Sequence, residues 1–135
     1  STLRLPILWI LHVGHAFVGL GLALRGLAAF VPLLSQSAAL HAFTAGAIGC
    51  SPLGMMARVS LGHTGRMLAV RPSIAVAFGM LIVATLVRVF GPLGGSVAHR
   101  HSMTTAGSLF ALAFLVFFVV YLPSLTSPRV DGRPG

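Results

Sequence analysis

Acidic residues are almost missing from this chain of 135 residues: Asp131 is the only one. A buried carboxylate acting as general acid or base, and with it a catalytic triad, is therefore excluded for this chain. Lysine is absent as well, so all nine basic residues are arginine. They are scattered singly, with no basic stripe and no interleaved aromatics. The net charge of +8 thus reflects missing acids and does not mark a nucleic-acid-binding protein. Cys50 is the single cysteine, which rules out an internal disulfide and a cysteine-rich metal site. No glycine-rich phosphate cradle of recognised spacing is present. Charged residues make up 7% of the chain, where a soluble domain carries roughly 25%. A normal polar surface is out of reach.

What is present is apolar. The hydrophobic share is 56% and the mean hydropathy is +0.98. This composition predicts an all-α, polytopic transmembrane helical bundle whose first partner is the lipid bilayer. Four stretches approach the roughly 20 apolar residues that a spanning helix needs. They cover about 5–31, 38–57, 73–90 and 103–122, followed by a polar tail over 123–135. Pro6 suits a first helical turn, and Trp9 sits where interface aromatics sit. Pro52 predicts a kink in the second span. The stretches Arg58–Pro72 and Gly91–Ser102 read as surface loops. The chain opens on Ser1, and the apolar stretch after Arg4 is too long for a signal peptide and carries histidines. The chain therefore reads as a piece, or the end, of a longer protein.

Four spans would put both termini and the Arg58–Pro72 loop on one side, with Arg4, Arg58, Arg66, Arg71, Arg129 and Arg133. Arg25, Arg88 and Arg100 would face the other. That excess predicts a cytoplasmic C-terminus. Ala42, Gly46 and Cys50 recur every fourth residue, which lets backbones approach closely in lipid and predicts a central place for the second span. Phe110, Phe114, Phe117 and Phe118 predict a peripheral, lipid-facing fourth span.

Ionisable side chains within a membrane point to function, because their desolvation is costly. His12 and His15 are three residues apart and share a helix face with Gly19. An imidazole above a glycine notch suits a flat haem macrocycle, and equally suits a histidine bonded to a neighbouring helix. His41 enters the membrane from the opposite side, or snorkels to water. Met55 and Met56 offer soft thioethers to Cu(I), or fill the core. In Leu61-Gly62-His63-Thr64-Gly65-Arg66, glycines flank His63. Arg58 and Arg66 could clamp a carboxylate such as a haem propionate, or bind lipid headgroups. His99, Arg100 and His101 read as surface residues.

Two strings carry a family resemblance: Leu40-His41-Ala42-Phe43-Thr44-Ala45-Gly46-Ala47-Ile48-Gly49, and Met55-Met56-Ala57-Arg58-Val59-Ser60-Leu61-Gly62-His63-Thr64-Gly65-Arg66. With Leu11-His12-Val13-Gly14 at the start, and Tyr121-Leu122-Pro123 through Pro128-Arg129-Val130-Asp131-Gly132-Arg133-Pro134-Gly135 at the end, the chain resembles the NnrS family over nearly its whole length. The resemblance implies a multi-pass protein of the bacterial inner membrane with about a dozen helices, of which these would be the last four, packed against upstream helices of the same parent. It implies haem and copper as cofactors, nitric oxide as a ligand, and a role in denitrification or resistance to nitrosative stress. Carried over residue by residue, it makes His12, His41 and His63 metal-site candidates, with Arg58 and Arg66 on haem propionates. His15 and Cys50 depart from the family pattern. Two other functional classes stay open: a b-type electron-transfer subunit, and a transporter that uses buried His and Arg. A structural segment with its metal site wholly upstream is a third. None of these readings assigns a reaction.

Overall fold

The computed structural model describes residues 5–130, and all of its regular structure is helical. Arg4, Asp131 and Arg133 lie outside the described residues. Helix α1 spans Pro6–Leu27 and starts with proline in its first turn. A short turn leads to α2, Gln36–His41, where the Ser35 hydroxyl accepts from Ala38 N at 3.1 Å as a helix cap. Arg25 donates to the side-chain oxygen of Gln36 across that turn. Helix α2 runs on through a π-helical stretch, Ala42–Ala47, into α3, Ile48–His63. Residues 36–63 thus form one continuous helical rod with a wide turn inside it. Helix α4, Pro72–Phe90, passes through a 3₁₀ turn, Gly91–Gly94, into α5, Ser96–Leu125. Gly95 makes that corner with φ +92, a backbone angle that glycine adopts without penalty.

Among the described residues, three helical stretches are long and apolar enough to cross a membrane: Pro6–Leu27, Pro72–Gly94 and Ser96–Leu125. The rod falls at the position of the second expected span, but it is divided into pieces of 6, 6 and 16 residues. Its departure from regular α-helix comes one turn before Pro52. There the Thr44 hydroxyl takes the Leu40 carbonyl at 2.9 Å. Pro52 itself has no N–H to close on residue 48.

Glycines set how α1 and the rod pair. A side chain at Gly14 would strike Ser51, one at Gly46 would strike the Phe17 ring, one at Gly21 would meet Phe43 at 2.8 Å, and one at Gly54 would meet Ile10 at 2.7 Å. These contacts define an antiparallel register in which residue 10 is level with 54 and residue 21 with 43. Ala42, Gly46 and Cys50 are buried along the rod, which touches α1, α4 and α5. The small-residue stripe therefore does place the rod centrally.

Helices α4 and α5 cover one side of the α1–rod pair. Ile10, Cys50, Leu53, Ile74, Phe78 and Leu81 form the core there, fully buried. Trp9 lies edge-on to Phe78 with ring centres 6.0 Å apart. A second cluster, Leu24, Ala38, Ala39, Ala42 and Val89, packs the opposite end. Helix α5 is the least covered of the long helices, as its bulk predicts. Its phenylalanines, however, do not all face outward. Phe110, Phe114 and Phe117 pack against the core, and only Phe118 points away. Residues 110, 114, 117 and 121 recur at helical spacing on one face, whereas 118 lies off it.

Candidate functional site

The string around His63 is first of all a helix stop. Helix α3 continues through the expected loop to His63, with Thr64 as its C-cap. Gly65 adopts φ +69. Its N–H donates to the Gly62 carbonyl at 3.2 Å, while Arg66 N donates to the Leu61 carbonyl at 2.9 Å. That pair of bonds is a Schellman motif, and the left-handed position requires glycine. The buried Thr64 hydroxyl donates to the Ser60 carbonyl at 2.7 Å. Val130 N reaches the Thr64 carbonyl at 3.3 Å, and Arg66 Nη1 donates to the Ser124 carbonyl at 3.3 Å. The end of α5 is thereby tied to the end of α3. Arg66 sits where a cation meets the negative end of a helix, and His63 is exposed in the last turn of α3.

Each of the other candidate histidines is held through Nδ1. That atom of His12 donates to the Leu8 carbonyl at 2.9 Å, and that of His15 to the Leu11 carbonyl at 3.0 Å. His41 Nδ1 lies 2.6 Å from the Ser37 carbonyl and 3.1 Å from the Ser37 hydroxyl. A carbonyl can only accept, so Nδ1 carries the hydrogen. In a neutral ring, Nε2 is then left with a free lone pair. A backbone carbonyl on one ring nitrogen is the usual way a metal-ligating histidine is oriented.

The register keeps these ligands apart. His12 is level with residue 52 of the rod, His41 lies near the far end of α1, and His63 lies beyond its start. At 1.5 Å per residue, His41 and His63 are each about 16 Å from His12 along the axis, on opposite sides of it. A single ion with bonds near 2 Å cannot take all three. No group of three His, Cys, Asp or Glu side chains converges among the described residues.

One face does gather several of the candidates. Counting about 100° per residue from the facing glycines Gly14 and Gly54, His15 and Leu11 on α1 turn to the same flank as Met55 and Arg58 on α3. It is the flank away from α4 and α5. His15, Met55 and Arg58 are exposed on it, and His12 and Gly19 are exposed farther round α1, toward the side away from α3. A cavity of about 270 Å³ is lined by Leu11, His12 and His15. Gly19 has nothing within 4 Å of where a side chain would begin, so the expected notch beyond the histidines is open. Arg58 forms no hydrogen bond or ion pair with another described residue.

His41 belongs to a different place. With Arg88, it lines a pocket of about 310 Å³ between the rod, α4 and α5. The remaining walls are Ala45, Ala84, Met103, Ala106, Gly107 and Phe110. Arg88 counted in the sequence only toward topology, although an arginine inside an apolar helix is itself a signal of a site. His99, Arg100 and His101 are exposed, as expected, but they stand on the first turns of α5 and not in a loop. Cys50 is fully buried and unpaired.

The family model for the NnrS protein matches residues 1–129. The chain belongs to the NnrS family. Two of the strings that carry the resemblance thus acquire structural roles: the motif of NnrS character over residues 55–66 contains the α3 stop, and that over 40–49 contains the π-helical stretch. No curated protein and no solved structure matches the chain.

Proposed function

We propose that this chain is the metal-bearing part of an NnrS-type protein of the bacterial inner membrane, acting in the response to nitric oxide. Its C-terminus would be cytoplasmic. The observation that carries this reading is the outer flank of α1. There His12 offers an Nε2 lone pair and Gly19 leaves a notch, and Arg58, with no ion pair among the described residues, brings a cation to the adjoining flank. That donor set would suit a haem: His12 would supply a nitrogen ligand, Gly19 would leave room for the ring, and Arg58 would hold a propionate. Arg66, tied to Ser124, would be a weaker second clamp. A copper ion held by His12, His41 and His63 together does not fit the register. Copper fits instead as a separate ion on one of these imidazoles, with its other ligands from upstream helices of the parent. A haem or copper centre held on this flank would supply a metal that binds nitric oxide.

The chain's own contribution is orientation. The Leu8 carbonyl fixes the tautomer and tilt of His12. Upstream helices packed over the flank would close the site. The test is an optical spectrum of the whole parent protein in detergent, reduced and exposed to nitric oxide, beside His12→Ala, His41→Ala and His63→Ala. The reading expects a Soret band that nitric oxide shifts and that His12→Ala abolishes. A Soret band unchanged in His12→Ala removes the haem from this flank. Absence of both haem and copper from the intact parent would move the weight to a transporter.

A further inference from the structure

We propose that the pocket between the rod, α4 and α5 seats an anionic phospholipid, with its phosphate on Arg88 and one acyl chain against Ala84, Ala106, Gly107 and Phe110. Arg88 lies in the last turn of α4 and is half-buried. It forms no hydrogen bond or ion pair with another described residue. No acid exists among residues 5–130, so no described side chain supplies a carboxylate near it. A half-buried arginine without a counter-charge is costly in a low-dielectric setting. The described residues offer no counter-charge, so a bound anion is called for.

Depth and lining identify its source. Arg88 stands six residues inside the Gly94 end of a membrane-length stretch, about 9 Å along the axis. His41, on the opposite wall, stands five residues inside the start of the rod, about 8 Å. Both lie near the boundary between acyl chains and headgroups, within arginine's snorkelling reach of the phosphates. Below Arg88 the pocket is almost wholly apolar. Its 310 Å³ accommodates about ten water-sized groups, enough for the upper part of one acyl chain. Gly107 leaves this space open, since nothing lies within 4 Å of where its side chain would begin. A cation above an apolar slot between spanning helices is the arrangement that recognises an acidic lipid. Guanidinium also matches a phosphodiester in a two-pronged geometry.

The experiment is native mass spectrometry of the whole parent protein in neutral detergent. Phosphatidylglycerol and phosphatidylcholine are added at equal concentration, with and without free glycerol phosphate. The expected result is one preferentially retained phosphatidylglycerol that glycerol phosphate does not displace. Arg88→Gln should lower that preference about fivefold, the effect of one cation near an anionic surface. Arg88→Lys should keep part of it. Gly107→Leu should fill the slot and expel the lipid while leaving Arg88 in place, which gives a second variant should Arg88→Gln fail to fold. Arg100→Gln, on the exposed face of α5, should change nothing. Equal retention of the two lipids overturns the proposal. So does displacement by glycerol phosphate, an Arg100→Gln loss equal to that of Arg88→Gln, or lipid retention unmoved by both pocket variants. A haem band that moves in Arg88→Gln while lipid retention stays constant would give the pocket to a cofactor and overturn it as well.

Discussion

Two glycines three residues apart, Gly62 and Gly65, should respond to alanine in opposite directions. Gly62 lies inside α3 and has open space where a side chain would begin. Alanine is favoured over glycine in a helix interior by about 0.5–1 kcal/mol, through reduced freedom of the unfolded chain and better propensity. Gly65 sits at φ +69 beyond the helix end. A β-carbon there costs about 1–2 kcal/mol, because it crowds the following carbonyl. Asparagine tolerates that region better, so Gly65→Asn should fall between glycine and alanine. The difference between Gly62→Ala and Gly65→Ala is therefore about 1.5–3 kcal/mol, a separation of several degrees in Tm for a chain of this size. Thermal melts followed by circular dichroism in one detergent read it directly. Metal content of the same samples separates stability from binding. Equal destabilisation by both alanines would refute the Schellman reading and return this string to a ligand cradle, where both glycines matter for close approach. So would a Gly65→Asn variant no better than Gly65→Ala.

Further perturbations probe the packing. Gly46→Leu would drive a side chain into the Phe17 ring and part the rod from α1, so it should abolish the cooperative melt. Gly26→Ala, with nothing within 4 Å, should leave the melt intact. Phe78→Ala removes the largest fully buried side chain. It should cost toward the lower end of about 3–5 kcal/mol, because in lipid the loss is mainly packing and not transfer from water. An unchanged melt would place Phe78 on the lipid side. Arg66→Gln shortens the donor that reaches the Ser124 carbonyl. It should cost about 1 kcal/mol and speed amide exchange over residues 122–130. Exchange confined to wild-type rates would show that the tie carries no load.

How far this architecture could be read in advance depended on whether a signal was local. Long apolar runs announced α1, α4 and α5, since composition alone decides what lipid will accept. The Ala42–Gly46–Cys50 stripe likewise foretold close contact, because only small residues permit it. Helix ends were harder. Glycines, histidine and arginines at 58–72 look like a loop, yet the helix persists to His63 and uses Gly65 to stop. The same residue types serve exposed helix and turn alike, and only the backbone bonds tell them apart. Likewise Ser96 through Ser102 carries the polar residues of a loop but folds as the first two turns of α5. The phenylalanines of α5 show a different gap. Their number is visible in sequence, but which three pack inward depends on where α3 and α4 lie. The histidines are the plainest case. Their identity suggested ligands, and the i−4 carbonyl bonds supply the orientation that ligands need. The antiparallel register then separates His12, His41 and His63, and no spacing in a linear string reveals that. Arg88 faces His41 across a pocket for the same reason: the two are distant in sequence and meet only through the α4–rod contact.

The measurement that bears most directly on the central claim is the haem and copper stoichiometry of the whole parent protein, compared with that of His12→Ala and Gly19→Leu. A side chain at Gly19 would begin with nothing within 4 Å, so a leucine there should fold normally and act only on what lies over the flank. The account predicts stoichiometric haem in the wild type, its loss in His12→Ala, and a marked drop in Gly19→Leu with an unchanged melt. Full haem and copper occupancy in both variants would contradict it and place the metal sites away from the outer flank of α1.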